Sequence, residues 1–280
     1  MKRIVLTLVT ILIGVSIFAQ DFQGVATYKS KRKMDLKMDS TQLDSGMQEL
    51  IMEKLKKQFE KTYVLRFNKT ESIYKEDEKL DAPQPAGMQI MVMSTGGTGV
   101  LYKNTKEGRF ANQNESFSKL FLIKDKLKKL DWKLESETKN IGEYTCYKAT
   151  LKRKVEIRES IMTIKGTTKD SEEDEDKEPE MEEITITAWY TTQIPVNNGP
   201  GNYYGLPGLI LEVNDGMETV ICSKIVLNPK NKVAISEPKK GKEVTQEKYD
   251  AIMEKKMKEM EEQYHRPGKD GHRMEFRVGG

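Results

Sequence analysis

Histidine and cysteine are nearly missing from this 280-residue sequence, with two of each. His265 and His272 lie at or within a stretch, 266–280, of Gly, Arg and Lys with little apolar surface, expected to be disordered. A Ser-His-Asp or Cys-His arrangement, or a His-containing zinc site, needs its imidazole held by a rigid scaffold, which such a tail does not provide. Two cysteines make no zinc cage and permit one disulfide only, Cys146–Cys222. Phosphate-binding signatures are missing too, since Gly96-Gly97-Thr98-Gly99 has no Lys after it. No catalytic residue, metal ligand or cofactor is therefore expected. Carboxylates are too numerous for the sequence to single out a pair, so a carboxylate-dependent hydrolase stays as an alternative.

An excess of one charge and long apolar runs are equally scarce. There are 47 Lys and Arg against 44 Asp and Glu, a net charge of +3. That balance carries no bias toward nucleic acid. One sustained apolar run begins at Ile4 and ends at Phe18, broken by Thr7, Thr10, Gly14 and Ser16. It is shorter than the ~20 apolar residues of a membrane-spanning helix. Lys2 and Arg3 precede it, and Ala19, Gln20 and Asp21 follow. This is the layout of a secretory signal peptide over residues 1–19. No Cys follows the cleavage position, so a lipid-anchored mature N-terminus is not expected. The expectation is a secreted chain, periplasmic or at the cell surface, with no transmembrane segment after cleavage. An oxidising compartment permits the Cys146–Cys222 bridge, and two buried thiols are the alternative.

What remains is dominated by short alternating segments. Strands are predicted at 22–29, 63–68, 72–74, 100–103, 108–112, 120–123, 132–137 and 144–154. Ile184, Ile186, Ala188 and Tyr190 alternate with Thr185, Thr187, Trp189 and Thr191, giving another. Leu209 to Val213 and Thr219 to Leu227 flank the turn Asn214-Asp215-Gly216 as a hairpin. Leu43, Met47, Leu50, Ile51, Leu55 and Phe59 recur at helical spacing behind Thr41 as a cap. A second helical stripe runs through Tyr249, Ile252, Met253, Met257, Met260 and Tyr264, with Thr245 as cap and Val244 as staple. Residues 79–99 and the Gly/Pro-rich 194–208 read as loops, and Pro238–Lys242 as a linker. Ten carboxylates and one Lys between Asp170 and Glu183 repel one another, so 168–183 reads as a solvated acidic insertion. An EF-hand would need a turn glycine that is not there.

No βαβ alternation is present, so the fold class is mainly β (α+β). The expected architecture is a single curved antiparallel sheet or half-barrel packed on an N-terminal helix, with an appended C-terminal helix. Residues 20–228 form its β-rich domain, and 229–280 a linker, a charged amphipathic helix and a tail.

Three segments resemble the GLPGLI family. The first runs from Trp132 to Thr150 and includes Gly142-Glu143-Tyr144-Thr145-Cys146-Tyr147. The second is Ala188-Trp189-Tyr190-Thr191-Thr192-Gln193-Ile194-Pro195. The third, Gly199 to Glu212, contains the eponymous Gly205-Leu206-Pro207-Gly208-Leu209-Ile210. The resemblance implies export from a Bacteroidetes-type bacterium and brings no assigned reaction. The acidic insertion and the helix after Pro238 depart from the family's compact pattern.

Physically, Gly205 and Gly208 permit positive φ or close backbone approach, and Pro207 fixes φ and ends pairing. Leu206, Leu209 and Ile210 would then turn inward. One reading is a rigid turn feeding a buried strand. The other is that Trp189, Tyr203, Tyr204, Gly205, Leu206, Pro207 and Gly208 edge a docking surface. The function expected is a non-enzymatic binding or interaction module for an apolar ligand, a peptide or an outer-membrane partner. An accessory of an outer-membrane transporter is a further alternative. Met34 and Met38, with Met88, Met91 and Met93, raise a thioether copper site, against which stands ordinary Met packing.

Overall fold

The computed structural model describes residues 22–33, 60–77, 99–157 and 180–264. The expected N-terminal helix at 41–59, the signal peptide, both histidines and the methionines at 34, 38, 88, 91 and 93 lie outside these residues, as do 168–179 of the acidic insertion. Among the described residues no helix is long and apolar enough to cross a membrane.

Twelve strands form one open, mixed sheet. They are β1 (Gln23–Arg32), β2 (Lys61–Asn68), β3 (Glu71–Glu76), β4 (Val100–Asn104), β5 (Arg109–Ser116) and β6 (Lys119–Lys126). Then come β7 (Lys133–Ile141), β8 (Tyr144–Ile157), β9 (Glu180–Thr191), β10 (Leu209–Asn214), β11 (Glu218–Leu227) and β12 (Lys242–Val244). One helix follows, α1 (Gln246–Tyr264). The spatial order is β12-β6-β5-β4-β3-β2-β1-β11-β10-β9-β8-β7. Two meanders are thus joined where β1 pairs with β11, Gly24 opposite Leu227.

Turn chemistry sets these hairpins. Asn68 Oδ1 accepts from the Thr70 and Glu71 amides, and Asn104 Oδ1 from those of Lys106 and Glu107. Asp215 Oδ1 does the same for Met217 and Glu218, with Gly216 at φ +95°. The β5–β6 turn differs, for Phe117 and Ser118 both take positive φ, 50° and 57°, without a glycine. Alternation decides the faces. On β1, Ala26 and Tyr28 are fully buried while Val25 and Thr27 point the other way.

Both faces carry a core. The first cluster joins Tyr28, Leu65, Tyr74 and Leu101 to Cys146 and Leu211. The second holds Ala149, Leu151, Ile186, Ala188, Leu206 and Ile210. β4 and β10 are five steps apart, about 24 Å if the sheet were flat. The shared first cluster shows that the sheet curves.

Three expectations need correction. The sheet is not wholly antiparallel, because β12 adds to the edge strand β6 in parallel, Lys242 opposite Phe121. The segment between β11 and β12 is no free linker. The Val233 amide donates to Gln23 Oε1, Ile235 covers Tyr102, Ala111 and Leu122, and Arg109 Nη1 bonds Glu237 at 2.7 Å. Polar sequence punctuated by Pro229, Pro238 and Gly241 reads as a linker and hides such a crossing, which is held by long-range contacts. Finally, the acidic stretch ends in strand. Glu180 to Glu183 pair along β8, and Lys152 meets Glu183 at 2.6 Å. The basic run on β8 offsets the repulsion that argued for a loop.

The C-terminal helix is present as expected. Thr245 Oγ1 caps it by accepting from the Lys248 amide at 3.3 Å. Its first turns dock on β6 through Tyr249, Ile252 and Met253, packed with Val244 of β12. The Tyr249 hydroxyl is bonded by Asn114 Nδ2 at 2.8 Å and lies 2.7 Å from Ser116 Oγ.

Candidate functional site

The segment between β9 and β10, residues 194–208, serves both faces of the sheet. Ile194 and Val196 are buried in the first cluster, and Leu206 in the second. Its ends are tied by backbone bonds, Leu209 N–H to Ile194 O at 3.0 Å and Ile210 N–H to Asn198 O at 3.0 Å. The Tyr28 hydroxyl donates to Ile210 O at 2.7 Å, buried.

The glycines here are demanded by contact. A β-carbon on Gly208 would lie 2.1 Å from the Thr191 carbonyl oxygen, and one on Gly199 2.8 Å from Ile210 Cβ. Gly205 turns the chain at φ +99°, its amide donating to Asn197 Oδ1. Pro207 needs no backbone partner and stands exposed.

Lys103 completes the arrangement. It lies on β4 in phase with Leu101, and it is 0% exposed. Its Nζ donates to the carbonyls of Gly199 at 2.9 Å, Gly201 at 2.7 Å and Tyr203 at 3.2 Å. Burial away from water pushes its pKa down from the ordinary value to about 7. Three neutral carbonyls thus surround an amine to which, among the described residues, no carboxylate is bonded.

Trp132 holds the other flank. Its indole N–H donates to Tyr204 O at 2.8 Å, and the Tyr204 hydroxyl donates to Lys128 O at 2.6 Å. The rings of Trp132 and Tyr203 lie 6.3 Å apart, tilted at 52°. Arg153 sits 5.9 Å over the Tyr203 ring. Burial pushes the Tyr203 phenol up to about 12.

Two open depressions flank Gly205–Pro207. One, of about 340 Å³, is walled by Lys129, Leu130, Trp132 and Leu134. The other, of about 470 Å³, is walled by Pro195 and Asn197. Leu134 is 55% exposed there. The arrangement offers a hydrogen-bonded ridge with apolar and aromatic flanks and, among the described residues, no nucleophile–base pair. Among the described residues no group of three or more His, Cys, Asp or Glu gathers as a metal site would require.

The sequence-predicted surface is only partly assembled. Tyr203, Tyr204, Gly205 and Pro207 come together, whereas Gly208 is buried against the Thr191 backbone. Leu206, 1% exposed, is a plug in the second cluster and lines the depressions only from beneath. Trp189 belongs elsewhere. Ala188 and Tyr190 face the second cluster, so strand alternation sends Trp189 to the first, where Lys139 Nζ lies 4.4 Å from its ring centroid. Trp132 takes the place expected for it. Cys146 and Cys222 are free thiols, both buried in the first cluster on strands separated by β9 and β10. Burial pushes Cys146 up to about 11 and Cys222 to about 12, so both stay protonated at neutral pH.

A family model described as a protein of unknown function, Porph_ging, matches residues 132–212. That stretch runs from Trp132 to Glu212 and contains all three segments on which the GLPGLI resemblance rests. The GLPGLI name itself remains a resemblance. No curated protein matches the chain. Among solved structures the chain is similar to PNGF-II in its C2 and P21 crystal forms, each at 15% identity and a TM-score of 0.47. The matches cover 84% of this chain but 33% and 34% of those chains. The chain therefore spans about a third of the length of the solved proteins it matches, and a likeness at that level carries no functional argument.

Proposed function

We propose that this chain is an exported protein of the bacterial envelope that acts as a binding module, presenting the Gly205–Pro207 ridge to a peptide or protein partner. The supporting observation is that the ridge and the residues leading into it are fastened by side-chain hydrogen bonds and yet left uncovered. Asn197 holds the Gly205 amide, Trp132 the Tyr204 carbonyl just before it and Lys103 the carbonyls of Gly199, Gly201 and Tyr203, while Gly205 and Pro207 stand exposed between two open depressions. A preordered surface loses little conformational entropy on docking, which suits recognition better than it suits a free loop. Ile194, Val196 and Leu209 fill the first cluster, which favours a surface-bound peptide over an acyl chain held inside the curve. Export rests on the charged, apolar and small-residue order of residues 2–21 and on the GLPGLI resemblance.

The test is a photo-crosslinking amino acid at Pro207 in chain produced in its own envelope, with the same group at exposed Ser223 as control. The reading expects one defined peptide or protein adduct at 207 and none at 223. No adduct at 207, or the same adducts at both positions, would refute it.

A further inference from the structure

Residues 194–208 are fastened in two different ways. Their ends are stitched into the sheet by backbone bonds at Ile194 and Asn198. Their crown, Gly199 to Tyr204, is held to the rest of the molecule through side chains, Lys103 on β4, Trp132 before β7 and its own Tyr204, whose hydroxyl donates to Lys128 O. β4 belongs to the meander on the far side of the β1–β11 junction, so the Lys103 bonds cross the curve of the sheet. An ammonium has three N–H donors and here meets three carbonyl acceptors. Lys103's register partners are Ser72 on β3 and Phe110 on β5, neither of them charged. Ser72 Oγ is itself buried without a hydrogen-bond partner. Among the described residues the amine is thus taken out of water without a counter-charge, an expensive state held by carbonyl dipoles. Gly201 in the crown and Gly205 just after it, at φ +51° and +99°, take backbone conformations that other residues rarely adopt.

We propose that residues 194–208 form a strap with a closed and a released state, and that the Lys103 amine is the fastener that selects between them. Closure sets the positions of Tyr203, Tyr204 and Gly205, and so forms the exposed ridge. Only this last consequence rests on the docking reading. Lys103 is a positioning residue here and touches no ligand.

The experiment is residue-resolved amide hydrogen exchange on the full chain at pH 6, comparing wild type with Lys103→Ala and Lys103→Met. In the closed strap the Tyr203 amide donates to Pro200 O and the Gly205 amide to Asn197 Oδ1. Both variants should speed exchange at these amides by about tenfold or more, with β8 and β9 unchanged. Propylammonium replaces what Lys103→Ala removes and should restore slow exchange, whereas 1-propanol, of the same size and uncharged, should not. The Met variant fills the space without donors, which keeps the test decisive if the Ala variant does not fold. Wild-type exchange rates in the variants would overturn the proposal. So would equal rescue by 1-propanol, or all strands loosening together in Lys103→Met. A strap that responds as described in a protein giving no adduct at Pro207 would refute the docking reading alone.

Discussion

Gly208 and the carbonyl of Thr191 meet so closely that a β-carbon at 208 would sit 2.1 Å from the oxygen. The clash is with backbone, which cannot step aside without moving β9. Gly208→Ala should therefore cost about 3 kcal/mol. Gly201 has φ +51° and open space around its would-be β-carbon, so Gly201→Ala should cost about 1 kcal/mol. Urea denaturation of the two variants measures the difference. Equal costs would mean that the close approach is not what the motif's second glycine is for.

Trp132→Phe keeps the apolar flank of the ridge but leaves the Tyr204 carbonyl without its 2.8 Å donor. A loss of about 1 kcal/mol is expected. Quenching of the remaining tryptophan, Trp189, should not change, because that residue packs with the first cluster. A changed Trp189 signal would show that the two tryptophans share a surface after all.

Stability should depend on pH through Lys103. Its folded pKa is depressed to about 7, below that of an exposed lysine. Between those values the unfolded chain holds a proton that the folded chain has released, so stability rises with pH from about 7 upward and is lost as pH falls back toward 7. Relief of the buried charge outweighs the third hydrogen bond given up on deprotonation. The two thiols act oppositely. Their folded pKa values are raised, so their contribution falls once free cysteine ionises, above about 8.5. The window from about pH 7 to 8.5 isolates the lysine. The midpoint difference between wild type and Lys103→Met should grow across it, and a flat difference would show that Lys103 is charged throughout.

Thiol titration addresses the cysteines. Native protein should react with no equivalents of a thiol reagent, and unreduced, urea-unfolded protein with two, since both groups are free and buried. Zero equivalents in urea would mean that the Cys146–Cys222 bridge forms in solution.

The β5–β6 turn can be improved. Ser118 takes φ 57° with an ordinary side chain. Ser118→Gly should stabilise the protein by about 1 kcal/mol. A neutral or destabilising result in thermal melts would show that the turn is otherwise compensated.

Period-two alternation exposed most strands, because half-buried antiparallel strands must alternate. Asn214-Asp215-Gly216 marked its hairpin through Asx-turn chemistry that the structure reproduces at Asp215. The glycine and proline spacing of 199–208 likewise revealed a built turn. Strand parity puts Trp189 on the opposite face from Ala188 and Tyr190, which leaves the flank of the ridge to Trp132. Lys103 was harder to see. A lysine in Val100-Leu101-Tyr102-Lys103 reads as an exposed charge, and its one signal is being in phase with buried Leu101. What buries it is a segment about a hundred residues away. β12 was hidden for a similar reason, since three residues of parallel pairing with β6 leave no periodicity.

Native mass spectrometry on protein drawn gently from its own envelope, wild type beside Pro207→Lys, tests the central claim most directly. Exposed Pro207 donates no backbone bond, so the variant should melt like wild type. A stoichiometric peptide or protein is expected on the wild-type chain and missing from the variant. An identical complement on both chains, or bare wild-type protein, would contradict it.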